Sequence, residues 1–186
     1  MLPFDTVYGL ATDPYREEPV RRLYKVKGRE AEQPTALVAS TFDYLLECVP
    51  ELRGRAATLA HLLLPGPYTL VLPNPARRYR WLTGSNPDAI GVRVPELDGP
   101  GGDVLKRAGA LAATSANKPG GADPRRLEDV PEEIRSQAAA VVDGGELPGL
   151  PSTVVDLTGS EPRILREGAA SAADVLRRLQ APVRSS

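Results

Sequence analysis

Residues Leu111–Gly121 read LAATSANKPGG, a small apolar run that ends in a hydroxyl, an amide and a pair of glycines. Its first half has the composition of a buried strand, and Ser115 and Asn117 stand where that strand stops. A strand ending in hydrogen-bonding groups leaves them at the mouth of its sheet, which in open α/β sheets is where ligands bind. Two further stretches are suited to meet it: PFDTVYGLATD (Pro3–Asp13), with the cationic YKVKGR (Tyr24–Arg29), and LPSTVVDL (Leu150–Leu157).

Strand-like and helix-like segments alternate on either side. Leu2–Phe4 and Thr6–Ala11 read as extended, with Gly9 allowing a turn or a close backbone approach. Val20, Leu23, Tyr24 and Lys27 recur at helical spacing within Glu17–Lys27, acidic residues fill the first turn, and Gly28 ends the helix. Thr35–Ala39, Thr69–Leu72 and Ile90–Val94 read as strands. Ser40–Val49 reads as a helix opened by the capping-box-like Ser40-Thr-Phe-Asp43, and Arg53–Leu64 as a helix stopped by Pro65-Gly66-Pro67. Trp81–Gly84 reads as a pinned turn and Val104–Ala108 as a short helix. Beyond the central stretch, Glu132–Gln137 reads as a helix with Pro131 in its first turn. Ala139–Asp143, Thr153–Thr158 and Arg163–Arg166 read as three strands most easily paired antiparallel. Ser171-Ala-Ala-Asp174 opens a terminal helix with Val175, Leu176 and Leu179 on one face, and the tail after Pro182 is expected to be loose. The pattern predicts an α/β fold, a single domain over residues 1–186 with a twisted, open, mixed sheet and flanking helices.

A chain of 186 residues, 41% apolar and 25% charged, can bury the core of one soluble domain. Its formal net charge of −1 provides no global field for nucleic acid or an anionic membrane. No apolar run approaches the ~20 residues of a membrane span. Cys48 is the lone cysteine, so no intramolecular disulfide can form, which suits a reducing cytoplasm. His61 is the lone histidine and sits among leucines at helical spacing, a structural setting. A Cys/His zinc site is thereby excluded and a Ser-His-Asp triad disfavoured. Neither a G-x-G-x-x-G after a strand nor a P-loop is present. Chemistry on this chain must rest on positioning, charge, bound metal or the substrate's own groups.

Several polar residues carry both a structural and a functional reading. Lys27 and Arg29 are either solvated cations at a helix C-terminus or a phosphate clamp, a point charge beside a guanidinium fork. Arg93, between Val92 and Val94, faces either solvent or a cleft holding a carboxylate. Ser115, Asn117, Ser152 and Thr153 are turn formers, or short rigid groups suited to an amino acid or a ribose. Arg166 is a ligand arginine or a salt-bridge partner.

Together, PFDTVYGL, LYKVKGR, LPGPYTLVLP, RWLTG, IGVRVP, LAATSAN, VVDGG, PSTVVDL and ILREG run in the order of the YrdC/TsaC family of threonylcarbamoyl-AMP synthases, which this chain resembles over nearly its whole length. The resemblance implies a YrdC-like fold with a large concave cavity for ATP, L-threonine and bicarbonate. It implies formation of threonylcarbamoyl-adenylate and pyrophosphate, with Mg²⁺ held mainly by the ATP phosphates and no protein metal site. A separate threonylcarbamoyl transferase complex would then modify tRNA. Lys27 and Arg29 match the family's catalytic, nucleotide-binding cations. Thr83, Ser115, Asn117 and Arg166 match other nucleotide-facing positions. Thr6, Arg93, Ser115, Ser152 and Thr153 match the threonine pocket, with Arg93 as the carboxylate partner.

The chain departs from the family pattern at Phe4, where a threonine-contacting hydroxyl is usual, at Glu30 in place of proline, and at Thr35 in place of an apolar residue. Family members also carry a helix and most of a strand upstream of Pro3, so the expectation is either that the start codon is placed too late or that this chain has lost part of its first sheet edge. Two other readings are a non-catalytic RNA-binding module and a carbamoyl-transfer domain of the hydrogenase-maturation type. The net charge weighs against strong binding of tRNA, and the single cysteine weighs against the zinc modules of the second.

Overall fold

The computed structural model describes residues 1–30 and 32–180; the tail after Pro182 lies outside them. Eight strands form one mixed sheet in the order β1-β2-β6-β3-β5-β4-β7-β8. They are β1 (Leu2–Pro3), β2 (Tyr8–Thr12), β3 (Ala36–Ala39), β4 (Tyr68–Pro73), β5 (Ala89–Arg93), β6 (Ala110–Ser115), β7 (Thr153–Asp156) and β8 (Arg163–Arg166). Only the β3/β5 and β4/β7 pairs are parallel. The LAATS strand lies inside the sheet, between β2 and β3, antiparallel to both. The helices are α1 (Glu17–Lys27), α2 (Phe42–Cys48), α3 (Gly54–Leu63), α4 (Gly99–Ala108), α5 (Glu132–Arg135) and α6 (Ala172–Gln180).

The two faces of the sheet differ in what covers them. Alternation along each strand sends Tyr8, Leu10, Leu37, Leu70, Leu72, Ile90, Val92, Ala112 and Val155 to one face. There they pack with Val20 and Leu23 of α1, Leu45 of α2, Leu63 of α3 and Val175 of α6 in the main core. The opposite face is covered only in part. Leu105 of α4 closes a small second core with Leu2, Phe4, Val38 and Ala113. Beyond it that face is open.

Helix α1 carries two functional candidates to a defined place. Glu17 and Glu18 lie in its first turn and Lys25 and Lys27 in its last, matching the helix dipole. Gly28 takes the left-handed conformation at φ 67°. Its N–H then bonds the Lys25 carbonyl at 3.2 Å, and the Arg29 N–H bonds Tyr24 at 2.9 Å. This closing motif fixes how Arg29 leaves the helix.

The structure corrects five local expectations. Ala139–Asp143 is not a strand: it runs beside Met1, bonding its amino group through Ala140 O at 2.7 Å and its carbonyl through Val142 N at 3.1 Å. β1 has two residues, too few to extend a ladder to that segment. β7 pairs antiparallel with β8 as expected, but its other neighbour is the parallel strand β4. α4 starts at Gly99, not Val104. Two of its glycines pack tightly: a Cβ on Gly101 would run into Pro3 O and one on Gly102 into Leu97 O, so no side chain fits at either. Thr41, not Ser40, caps α2, its Oγ1 accepting from Tyr44 N at 3.0 Å. In α6, Val175 is buried and Leu179 packs on the core, whereas Leu176 points outward.

Candidate functional site

The open face forms a cleft of about 430 Å³. Alternate residues of neighbouring strands make its floor: Thr69 and Val71 of β4, Ala89, Gly91 and Arg93 of β5, Ala113 and Ser115 of β6, and Val154 of β7. Small side chains on these positions are what leave the volume empty. The cleft thus lies on a sheet face rather than at the strand mouths, and Ser115 reaches it as the last residue of β6. A larger hollow of about 560 Å³ lies elsewhere, beside Met1, Arg16 and Leu111.

Arg29 enters one wall. Its Nη1 donates to Thr114 Oγ1 at 2.9 Å and its Nη2 to Pro34 O at 2.6 Å, so the guanidinium is held rigidly. Burial holds its pKa below the ordinary arginine value.

Lys27 lies behind this wall. It is buried and is not itself a lining residue. Its ammonium donates to Ser115 O at 2.6 Å, to Ser115 Oγ at 3.3 Å and to Asn117 Oδ1. Three donors on three acceptors saturate the group. Burial, reinforced by the nearby Arg29 charge, pushes its pKa down to about 8. Ser115 Oγ also donates to Asn117 Oδ1 at 2.7 Å, and Asn117 Nδ2 donates to Gly121 O at 2.6 Å. Lys27 is therefore the hub of the S-A-N loop.

Arg93 enters the cleft from the floor. Its Nη2 donates to Asp5 Oδ1 at 2.7 Å and more weakly to Thr6 Oγ1 at 3.4 Å. The pair is nearly dry, with side-chain exposures of 12% and 9%. Burial accordingly raises the Asp5 pKa against the pull of Arg93, and lowers that of Arg93 against the pull of Asp5. On the far wall Ser152 Oγ and Thr69 Oγ1 share a 2.7 Å hydrogen bond, and Arg166 Nη2 donates to Ser152 O at 2.8 Å.

The structure thus gathers Thr6, Arg29, Thr83, Arg93, Ser115, Ser152 and Arg166 around one cleft, with Lys27 and Asn117 directly behind Ser115. Thr153 is not brought there. It is fully buried, and its hydroxyl donates to Ala170 O at 2.5 Å while accepting from Gly168 N and Ala170 N, both at 3.0 Å. Period-two alternation explains the exclusion, because neighbours on a strand face opposite ways. The Thr83 hydroxyl, though lining the cleft, is engaged with Arg80 O at 2.9 Å. Phe4 turns its ring into the second core, away from the cleft.

Sequence reasoning missed Asp5, Thr69, Thr114 and Asp123. Asp5 had a signal, a carboxylate between Phe4 and Thr6 in an otherwise apolar entry to the fold. Thr69 had one too, since alternation in TLVL puts it on the face opposite Leu70.

Four buried side-chain polar atoms lack a hydrogen-bond partner among the described residues: Asp5 Oδ2, Arg29 Nε, Thr35 Oγ1 and Arg93 Nε. Three belong to cleft-lining residues and the fourth to the partner of Arg93. Such atoms are uncommon, and each costs about 1–3 kcal/mol. Their concentration here marks a surface built for something other than stability. Among the described residues, none lines the larger hollow.

The Sua5_yciO_yrdC family model, described as telomere recombination, matches residues 1–168. The chain belongs to this family. Among curated relatives, the threonylcarbamoyl-AMP synthase of Pyrococcus abyssi is 35% identical over 167 residues, covering 89% of this chain and 49% of that protein. The Vibrio campbellii threonylcarbamoyl-AMP synthase is 32% identical, covering 89% of this chain and 90% of its own length. The crystal structure of P. abyssi Sua5 complexed with L-threonine superimposes with a TM-score of 0.83 at 33% identity, covering 96% of this chain and 52% of that one. The chain therefore spans about half the length of the Pyrococcus member and most of the Vibrio member. The mixed sheet with flanking helices is the family's architecture.

Proposed function

We propose that this chain is an L-threonylcarbamoyladenylate synthase, joining ATP, L-threonine and bicarbonate with release of pyrophosphate. The observation that carries the reading is the convergence of Arg29, Arg93, Ser115, Ser152 and Arg166, from separate stretches of sequence, on one cleft holding unpartnered polar atoms.

The threonine carboxylate is assigned to Arg93, the guanidinium that enters the cleft from its floor. Ser115, Ser152 and Thr6 offer hydroxyls to the rest of the amino acid. The triphosphate is assigned to Arg29 and to the positive charge of Lys27 behind the S-A-N loop. A phosphate that touches the ammonium directly displaces Asn117 or Ser115 from it. The concave cleft is in this reading the seat of all the substrates. Asp123 is the carboxylate lining the cleft, and Mg²⁺ would arrive on the phosphates with Asp123 its available protein ligand. When bound, the metal supplies charge neutralisation at the phosphates.

The amine of threonine condenses with bicarbonate to a carbamate, forming the N–C bond and releasing the displaced oxygen as water, and a carbamate oxygen then displaces pyrophosphate from the α-phosphorus. Charge develops on phosphate oxygens, so fixed cations do the stabilising and no histidine base is required. Aligning the reactants lowers the barrier further, by up to about 7–11 kcal/mol in the best-oriented systems. The product would pass to a threonylcarbamoyl transferase acting on tRNA in the cytoplasm.

The test is pyrophosphate release with ATP, bicarbonate and each amino acid in turn. Threonine-dependent release is expected. Release that is indifferent to the amino acid, or none with threonine, contradicts the reading.

A further inference from the structure

Gly91 is a glycine in the middle of β5, an interior strand of the sheet, where glycine weakens the strand and offers nothing to pack. Nothing among the described residues requires it. Its φ is not in the left-handed range. A Cβ there would meet only Ala36 Cα and Thr69 Cγ2, both at an ordinary 3.9 Å. Gly9 is the contrast: a Cβ on it would lie 2.6 Å from the Phe4 ring, so packing explains that glycine. The missing side chain of Gly91 opens onto the cleft floor.

A second observation sets groups able to recognise a ligand on either side of this floor. Two residues along the same strand face, about 7 Å away at the rise of a strand, stands Arg93 with its Nε unpartnered. Its partner Asp5 is 91% buried and leaves Oδ2 unpartnered. On the other side the Thr69 side chain, beside the Gly91 Cβ position, shares its hydroxyl with Ser152. Gly91 thus lies between a carboxylate receptor and a hydroxyl pair.

We propose that Gly91 is the specificity-determining floor of the amino-acid subsite. Its absent side chain leaves room for the substrate's own branched side chain, and a Cβ at this position selects a smaller amino acid. The inference rests on the reading of the cleft as an amino-acid-adenylating site, and it assigns to β5 the choice among amino acids by volume.

The test is Gly91→Ala, with Tm and amino-acid-dependent pyrophosphate release measured for threonine, serine and glycine. Alanine suits a strand no worse than glycine, so the Tm is expected to stay or rise. The kcat/KM for threonine is expected to fall ~10-fold or more, the scale of one methyl in a tight pocket. Serine is expected to lose less, so the threonine-to-serine ratio drops. An unchanged ratio overturns the proposal, as does a Tm that falls along with activity. A wild-type chain that releases no pyrophosphate overturns the functional reading instead. The Gly91 proposal is then decided by threonine-induced thermal stabilisation: present in wild type and lost in Gly91→Ala supports it, and equal in both or absent in both overturns it.

Discussion

The same strands build both faces of this sheet, and the two faces serve opposite ends. On one, Leu37, Leu70, Ile90 and Val92 are fully or almost fully buried under helices. On the other, Ala36, Thr69, Ala89, Gly91 and Arg93, their immediate neighbours in sequence, line an open cleft. Apolar burial concentrates on the first face. The unpartnered polar groups and the nearly dry Asp5–Arg93 pair concentrate on the second. A buried ion pair is weak evidence for stability, since desolvation offsets most of its attraction. Function here is added where packing is absent.

Substitutions on the two faces should therefore separate stability from activity. Leu70→Ala, on the packed face, is expected to lose about 2–5 kcal/mol of unfolding free energy in urea denaturation. A loss well under 1 kcal/mol would mean that face is not the stabilising one. Arg29→Ala, in the cleft wall, is expected to cut adenylate formation at least ~100-fold, the scale of one electrostatic stabiliser, while the urea midpoint moves much less. Lys27→Ala should match it in rate but also lower stability, because Ser115 and Asn117 lose their shared donor.

The pH dependence sharpens the same division. The Lys27 pKa falls from 10.5 to about 8 in the folded chain. An anion binds the charged form, so nucleotide affinity should be full below pH 8 and decline as pH rises through it. For folding the sign reverses: between about 8 and 10.5 the unfolded chain holds more protons at this residue, so its contribution to stability grows with pH. Nucleotide affinity that is flat from pH 7 to 10 would remove Lys27 from the phosphate site. The smallest effects come from the hydroxyls. Ser115→Ala should raise the threonine KM, whereas Thr153→Val should lower the Tm and leave that KM alone, because Thr153 ties down residues 168–170 from the opposite face.

Much of this division can be read from the chain itself, and the rest cannot for physical reasons. Periodicity located α1 to the residue, because an amphipathic face, paired acidic and basic ends and Gly28 all agree. The same signals fail for α4, where glycine and proline at residues 99–102 are poor helix formers and hide the first turn and a half from a reading that begins the helix at Val104. The extended segment at Ala139–Asp143 has a strand's composition but no partner long enough to pair with it. In the site, resemblance assembled stretches of sequence that the fold brings to one cleft. Alternation then separates Ser152 from Thr153, two adjacent hydroxyls that composition cannot tell apart. The partner of Asp5 was out of reach, because Arg93 lies 88 residues further along the chain. The position of the cleft on the sheet face was also out of reach, since small residues on one side of a strand announce a void only when nothing is found packed there.

A structure of the chain crystallised with ATP and L-threonine tests the central claim most directly. The account predicts density over Gly91, on the open face, with phosphates toward Arg29 and the amino-acid carboxylate at Arg93. Ligand seated instead in the larger hollow beside Met1 and Leu111, with Arg93 still held only by Asp5, would contradict it.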